Sequence, residues 1–348
     1  MSDRGNNPFT LTFGKYPERY ISRYENTDMI CSAFSSSSPL SQIYMIEGVR
    51  GSGKTVLMTA VTKQLCSSGD WIVVDLNSTR NLLDDLAHRL YDTCNNIPKL
   101  LDKGFNVSLM GVSVGMGGVT DYRDSVSVIS DLLGTAGRKG RRVLITIDEV
   151  MHNQDMREFA AQFQIWLRQD QPVYLLMTGL YDNIYSIQND PALTFLLRSP
   201  KIRLESLSLN QIIRQYKEIF DIDENTALRL AELTKGYAFG FQALGMLCWE
   251  YGVDNCEIVL EKYDEMLEDF AYRKIWDSLT QNERRIIRCM GEDDVKVEKI
   301  RQALDMSAGT FSKYREKMLK SGLITSTGHG YVSLTLPRFH EVTRLYHV

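Results

Sequence analysis

The sequence predicts an α/β fold in which helices cover both faces of a parallel sheet, followed by two smaller modules. Five apolar strands separated by amphipathic helical stretches predict the sheet, because strands buried on both faces lack polar alternation. The predicted strands are QIYMIE, WIVVDL, VLITID, PVYLLMT and KIRLESL, at 42–47, 71–76, 143–148, 172–178 and 201–207. A chain of 348 residues is long for one domain, so we expect two or three packed units.

Composition is that of a globular protein, with 43% hydrophobic and 24% charged residues. No apolar run approaches the length needed to cross a bilayer, and the N-terminus MSDRGNNPFT lacks the apolar core of a secretory signal. These features predict a cytoplasmic protein without a membrane partner. The six cysteines form no CxxC pair, and the five histidines show no HxxxH spacing. We therefore expect reduced cysteines in the core and no structural zinc.

The motif GVRGSGKT at 48–55 follows the first strand and precedes the predicted helix KTVLMTAVTKQLC. Its spacing is that of a phosphate-binding loop, whose glycines let backbone N–H groups approach phosphate oxygens at the positive end of a helix. Lys54 is expected to reach the β- and γ-phosphates, and the Thr55 hydroxyl to ligate Mg²⁺. The residues expected to contact nucleotide are Gly48, Val49, Arg50, Gly51, Ser52, Gly53, Lys54, Thr55 and Val56.

A carboxylate pair follows the strand of RRVLITIDEV, at 141–150. This is the arrangement of a Walker B segment. Asp148 is expected to hold Mg²⁺, through its waters, and Glu149 to polarise the attacking water. Because Glu149 is expected to polarise water, the pair predicts ATP hydrolysis in addition to ATP binding. The alternative is a strand that ends in a solvated acidic turn.

Two further positions are candidates for a catalytic role. Thr178 ends the strand PVYLLMT, where a polar side chain senses the γ-phosphate in related ATPases, although a role confined to the turn is nearly as well supported. Arg198 and Arg203 lie near the last strand, and an arginine placed across a subunit interface stabilises transition-state charge. We favour Arg198 because it precedes the strand, with an ordinary surface arginine as the alternative.

The segment GFNVSLMGVSVGMGGV at 104–119 alternates apolar and polar residues and predicts a β-hairpin insertion. Its glycines lack the spacing and the following helix of a dinucleotide-binding motif. From 210 to 270 apolar residues recur every three or four positions, which predicts a small helical bundle.

The C-terminal stretch predicts three helices, at 279–291, 296–306 and 307–324, followed by two short strands. This is the pattern of a winged helix-turn-helix. From 279 to 348 there are 12 Lys and Arg against 8 Asp and Glu, a net charge of +4 on a chain whose total is -4. Such an asymmetry indicates a local anionic partner. The outer face of the third helix offers candidate contacts to duplex DNA: Thr310, Ser312, Lys313, Lys317 and Lys320.

Together these stretches resemble the origin-recognition-like branch of AAA+/STAND ATPases, in particular the bacterial and archaeal group with a C-terminal winged helix. The stretch KYPERYISRYENTDMICSAF (15–34) is similar to the family segment that packs against adenine. TKGYAFGFQALGMLCWE (234–250) occupies the place of the lid motif, but Ala238 stands where the family often has proline. No arginine occupies the obvious sensor position, and Lys235 is the nearest cation.

The resemblance implies a P-loop NTPase domain with a three-layer α/β/α sheet at 1–207, a helical lid at 208–272 and a winged helix at 273–348. It implies an ATPase that binds ATP and Mg²⁺, whose nucleotide state controls assembly or engagement of duplex DNA. The alternative is a slow nucleotide-gated switch or scaffold whose winged helix contacts a protein partner; the departures in the lid favour it. Self-association is a further expectation under either hypothesis.

Overall fold

A computed structural model of the protein describes residues 6–11, 19–98, 100, 124–344 and 346. The predicted hairpin at 104–119 lies outside them. The described chain divides into two compact units. The sheet unit comprises 23–47 and 57–203, and the helical unit comprises 1–22, 48–56 and 204–348. The predicted boundaries of the three domains stay predictions.

The sheet unit contains five parallel strands in the order β2-β3-β4-β1-β5. The strands are β1 (Ile43–Glu47), β2 (Trp71–Asn77), β3 (Arg142–Asp148), β4 (Val173–Gly179) and β5 (Lys201–Arg203). The helices are α1 (Tyr24–Ser35), α2 (Lys54–Cys66, whose first turn belongs to the helical unit), α3 (Leu82–Asn95), α4 (Ser125–Arg138), α5 (Gln154–Arg168), α6 (Tyr181–Gln188) and a 3-10 helix (Pro191–Arg198). The predicted parallel α/β sheet is confirmed.

Alternate residues of the strands face opposite layers of helices. On one face the apolar side chains of β1 to β4 pack against α3, α4 and α5, with Phe159, Phe163 and Trp166 fully buried. On the other face Phe34 of α1 packs edge-on against Tyr44 and Tyr174. These contacts make three layers, as predicted.

The last strand is shorter than the predicted 201–207. It pairs with Met45–Glu47 of β1, and β1 ends at Glu47, so the chain beyond Arg203 has no strand on that side with which to continue the ladder.

The cysteine prediction holds only in part. All six thiols are free, and Cys31, Cys94 and Cys248 are buried, but Cys66 and Cys256 are exposed.

The helical unit contains the helices predicted for 210–270, and its helical stretch continues to Ser278. Its elements are α7 (Leu209–Phe220), α8 (Glu224–Glu232), α9 (Ala238–Tyr251), α10 (Cys256–Leu267), a π turn (Glu268–Tyr272), α11 (Arg273–Ser278), α12 (Gln281–Arg288), β6 (Val295–Lys296), α13 (Val297–Ala303), α14 (Ala308–Ser321), β7 (Ile324–Gly328), β8 (Tyr331–Leu334) and α15 (Phe339–Thr343).

The C-terminal part contains the predicted helices and hairpin, plus the unpredicted strand β6, which completes an antiparallel sheet of order β6-β8-β7. Ser307 caps α14 by accepting a hydrogen bond from the Thr310 N–H, and Gly322 ends it in the left-handed region. Phe311 and Met318 of α14 are buried in the same apolar core as helices α7 to α10. Among the described residues, no helix is long and apolar enough to cross a membrane.

Candidate functional site

The phosphate loop Gly48–Val56 joins the end of β1 to the start of α2, which begins at Lys54. Gly51 and Gly53 have φ of 75° and 91°, a conformation that other residues adopt only with strain. At Gly48 an added Cβ would lie 2.7 Å from Ser52 Oγ. The backbone path therefore favours glycine at positions 51 and 53, and the Ser52 side chain leaves little room for a Cβ at position 48.

Lys54 is buried, and its amino group lies within the curl of the loop. Its Nζ donates hydrogen bonds to the carbonyl oxygens of Gly48, at 3.1 Å, and Val49, at 2.9 Å. The loop thus concentrates a fixed cation beside a helix N-terminus, which is the chemistry that binds phosphate.

The strand-end cluster consists of Asp148, Glu149 and Thr178. The fully buried Thr178 hydroxyl donates to Asp148 Oδ1. The same hydroxyl accepts a hydrogen bond from the Glu149 N–H at 3.1 Å, and this N–H also lies 3.1 Å from Asp148 Oδ1. Thr178, predicted separately from the carboxylate pair, is thus brought against it from the neighbouring strand, and the Asp148 carboxylate is held in one orientation.

Glu149 has φ of 52°, which is unusual for a residue with a side chain. Its neighbour Val150 donates its N–H to the Thr178 carbonyl at 2.8 Å, so the chain after β3 turns over the end of β4. The Glu149 side chain is exposed, while Asp148 and Thr178 are more enclosed. Strained backbone of this kind persists where the surroundings fix it, and it is frequent at functional sites.

The two candidate arginines differ in their surroundings. Arg198 ends the 3-10 helix and is exposed. Arg203 ends β5, and its Nε and Nη2 donate to Glu47 Oε1 at 3.0 and 2.9 Å. Glu47 is 3% exposed and immediately precedes the phosphate loop, so Arg203 neutralises a buried carboxylate. A charged residue inside the apolar string IYMIE was the available signal for this pair.

A second polar cluster, not predicted from the sequence, surrounds Asp190. Its Oδ2 lies 2.7 Å from His152 Nε2 and 2.6 Å from Arg157 Nε. The hydrogen bond with His152, followed by those with the Ala192 N–H and Arg157, lowers the pKa of Asp190 to about 2. The cluster ties the chain after Glu149 to the start of the 3-10 helix, which Asp190 caps. Its members are too far apart in sequence to form a recognisable motif.

Tyr237, at the N-cap of α9, and Phe239, in the first turn of that helix, contact the phosphate loop, and both were also missed from the sequence. The Tyr237 hydroxyl donates to the Arg50 carbonyl oxygen at 2.7 Å. The Phe239 N–H donates to the Gly51 carbonyl oxygen at 3.0 Å. Neither residue belongs to a sequence motif that marks it as a contact of the loop. Lys235 forms an ion pair with Glu292 at 2.8 Å.

The candidate DNA-contacting residues lie on α14 as predicted, with Thr310, Ser312, Lys313 and Lys320 exposed. Two of the cations have carboxylate partners, however. Lys317 Nζ lies 3.0 Å from the buried Glu283, and Lys320 pairs with Glu316. The Thr310 N–H and hydroxyl both contact the Ser307 side chain. Part of the positive charge of this face is therefore balanced within the fold.

Comparison with known proteins identifies a related fold. A Walker-type ATPase of Pyrococcus abyssi superposes with a TM-score of 0.64 at 15% identity, covering 94% of this chain and 97% of that one. The ORC2 protein of Aeropyrum pernix, in complexes with ADPNP and ADP, gives 0.62 at 14% identity with 96% of each chain covered. Cdc6p from Pyrobaculum aerophilum gives 0.51 at 12% identity, again with 96% of each chain covered.

The chain therefore shares the fold of archaeal Orc/Cdc6-type ATPases over nearly its whole length, as the resemblance implied. Residues 269–341 match a family model described as a domain of unknown function, DUF8462. No curated protein sequence matches the chain. At identities of 12–15% these comparisons show the fold alone.

Proposed function

We propose that the protein is a Mg²⁺-dependent ATPase that binds ATP on the phosphate loop and hydrolyses it with the strand-end cluster. The left-handed glycines, the buried Lys54 and the start of α2 support phosphate binding. The shared fold with ORC2, a protein solved with ADPNP and ADP, supports the choice of nucleotide.

The observation that carries the proposal is the position of the Thr178 hydroxyl between Asp148 and the Glu149 N–H. A loop alone explains nucleotide binding, whereas hydrolysis also requires a fixed carboxylate and a residue that orients water. The buried Thr178 hydroxyl is hydrogen-bonded to both the Asp148 carboxylate and the Glu149 N–H. It therefore fixes the end of β3 without itself carrying charge. Such preorganisation is what a hydrolytic site needs, because donors already in place do not have to reorganise during the reaction.

The roles follow from the chemistry of each group. Lys54 balances the charge of the β- and γ-phosphates, and Glu149 orients the attacking water. Thr55 would offer its hydroxyl oxygen and Asp148 its carboxylate oxygens as ligands. Mg²⁺ prefers oxygen ligands, so these residues suit that ion. When bound, Mg²⁺ supplies charge that stabilises the phosphates. Thr178 holds Asp148 in position and senses the γ-phosphate.

The test is a pair of threonine substitutions. Thr178→Val keeps the shape of the side chain and removes the hydroxyl that joins the cluster. We expect ATP turnover to fall by about 10- to 100-fold, because the carboxylate and the Glu149 backbone lose a shared partner. ADP affinity should stay within about twofold of wild type, since the loop is unchanged.

Thr146→Val is the matched control. Thr146 is also buried, and its hydroxyl donates to Asp75 in the neighbouring strand, not to a member of the strand-end cluster. Both variants remove one buried hydroxyl bonded to an aspartate, so a general loss of stability affects them alike. Equal turnover in the two variants would contradict the assignment of the strand-end cluster.

We further propose that α14 engages duplex DNA under the control of nucleotide state. The net charge of +4 at 279–348 and the exposed Ser312 and Lys313 support it. A nucleotide-gated switch that contacts a protein partner is the competing proposal, supported by the pairing of Lys317 with Glu283 and of Lys320 with Glu316. Paired cations release fewer counterions on binding DNA.

Single-turnover hydrolysis with and without duplex DNA separates the two proposals. DNA binding predicts faster turnover with duplex present and an affinity that falls steeply with salt. A protein-binding switch predicts the same slow turnover in both samples and no salt-dependent DNA affinity.

We also propose that Arg198 acts on ATP held by a second copy of the chain, which its exposed position allows. Mixing two inactive variants tests this. Arg198→Ala and Glu149→Gln should each lose turnover alone. Mixing restores it because some sites then combine an intact Glu149 with an intact Arg198. No recovery on mixing would contradict the interface role.

A further inference from the structure

The phosphate loop contains one glycine more than its motif requires. The pattern G-x-x-x-x-G-K-[ST] asks for glycine at Gly48 and Gly53 but leaves position 51 open. A Cβ added at Gly51 would lie 2.2 Å from the Tyr237 hydroxyl oxygen and 2.9 Å from Phe239 Cβ. The lid therefore occupies the space that a side chain at position 51 would need, and Gly51 and Tyr237 are matched to each other.

Tyr237 is held rigidly in the turn that leads into α9. Its N–H donates to the Thr234 carbonyl at 2.8 Å, and the Gly236 N–H donates to the Thr234 hydroxyl at 3.1 Å. Gly236 also accepts the Leu207 N–H at 2.7 Å. The Tyr237 ring stacks on Tyr272, with centroids 6.3 Å apart and planes at 30°. The hydroxyl is thus presented to the loop from a fixed ring.

The hydrogen bond from this hydroxyl sets the direction of a peptide group. No cis peptide bond occurs in the described chain, so the C=O of Arg50 and the N–H of Gly51 point in opposite directions. Because Tyr237 fixes the Arg50 oxygen toward the lid, the Gly51 N–H points to the opposite side of the loop. The bond from the Phe239 N–H to the Gly51 oxygen restrains the next peptide group as well.

We propose that Tyr237 is a positioning residue that orients the backbone of the phosphate loop for nucleotide binding, an inference that rests on the ATPase function proposed above. Free peptide groups rotate, and ordering them on binding costs entropy. A loop already oriented by the lid avoids part of that cost. Burial raises the pKa of the Tyr237 hydroxyl above its ordinary value, so the hydroxyl stays protonated and keeps donating near neutral pH.

The experiment compares Tyr237→Phe with Tyr216→Phe by titration calorimetry with ADP and by steady-state ATP turnover. Tyr216 is a matched control because its hydroxyl is buried in the lid and donates to the Phe241 carbonyl at 2.8 Å, away from the loop. Each substitution removes one neutral hydrogen bond to a backbone carbonyl, so both should lower the melting temperature to a similar extent.

Only Tyr237→Phe should weaken ADP binding, by about 3- to 10-fold, the range expected for one neutral hydrogen bond. KM for ATP should rise by a similar factor while kcat stays within about twofold, because the lost interaction serves binding. Equal ADP affinities in wild type and Tyr237→Phe, or equal losses in both variants, would overturn the positioning role. A wild type that fails to bind ADP would overturn the proposed function itself, and this inference with it.

Discussion

The phosphate loop and the strand-end cluster carry the two halves of the proposed ATPase chemistry, yet they are built differently. The loop is shaped mainly by backbone, with left-handed glycines and carbonyl groups restrained by Lys54, Tyr237 and the Phe239 N–H. The strand end is made of side chains that bond one another, Thr178 with Asp148 above all. A site made from backbone depends on what packs against it, whereas a site made from side chains depends on individual atoms.

The strand end should therefore show the largest effect of a single-atom change. We predict that Asp148→Asn lowers Mg²⁺-dependent ATP turnover by about 100-fold or more, because the amide replaces the carboxylate oxygen proposed to hold the metal's waters. ADP affinity measured in EDTA should remain within about twofold of wild type. If Asp148→Asn also weakened ADP binding in EDTA, the phosphate loop and the strand-end cluster would not have separate roles in binding and hydrolysis.

The loop should respond next, through its one buried cation. Lys54→Ala should weaken both ADP and ATP binding by about 10- to 100-fold, because a charge-assisted contact to phosphate is lost. Lys139→Ala is the control, since Lys139 is an exposed lysine at the end of α4. Unchanged ADP and ATP affinities in Lys54→Ala would contradict the comparison, because they would show that Lys54 does not contact the phosphates.

The lysines of α14 offer a further comparison, between Lys317, which pairs with a buried carboxylate, and the exposed Lys313. Lys317→Ala should lower the free energy of unfolding by about 1–2 kcal/mol, because the buried Glu283 loses a cationic partner. The exposed Lys313→Ala should change it by less than about 0.5 kcal/mol. If α14 contacts DNA, Lys313→Ala should also reduce the salt slope of binding by about 1. Urea denaturation and fluorescence anisotropy give the two quantities.

The smallest predicted effect concerns the Glu341 carboxyl. Burial and the hydrogen bond with Glu292 raise its pKa from 4.5 to about 7. The charge of Arg338 acts in the opposite direction, His340 Nδ1 lies 3.9 Å from Glu341 Oε1, and Lys235 pairs with Glu292. A raised acid pKa means that the unfolded chain loses its proton first, so this group's contribution to stability falls as pH rises from about 4.5 to about 7.

Glu341→Gln keeps a hydrogen-bond donor and removes the titration. Its melting temperature, relative to wild type, should rise by at most about 2 °C across that pH window and stay level above it. Glu298→Gln, on the exposed face of α13, should show no such trend. If the melting temperature of Glu341→Gln relative to wild type increased as the pH fell, that result would contradict the raised pKa of Glu341.

Local patterns predicted the parallel sheet, the loop and the capped helix α14 because each depends on residues near one another in sequence. The role of Thr178 could also be predicted from the sequence, since a polar residue at the end of an apolar strand lies beside the ends of the neighbouring strands. The contact of Tyr237 with Arg50 was not, because the two lie 187 positions apart and neither belongs to a motif for the other. The ion pair of Lys317 with Glu283 likewise depends on how two helices pack. The strand β6, only two residues long, gives no periodicity to detect.

Hydrolysis of ATP by the residues at the end of β3 underlies the catalytic roles proposed for this chain. Its most direct test is phosphate release from bound ATP in a single turnover, measured on wild type and Glu149→Gln, with ATP affinity determined on the same samples. Glu257→Gln, an exposed glutamate in α10, is the control. We expect that all three proteins bind ATP and that only Glu149→Gln loses phosphate release, by about 100-fold or more. Undiminished phosphate release by Glu149→Gln would show that the carboxylate of Glu149 is not needed for hydrolysis.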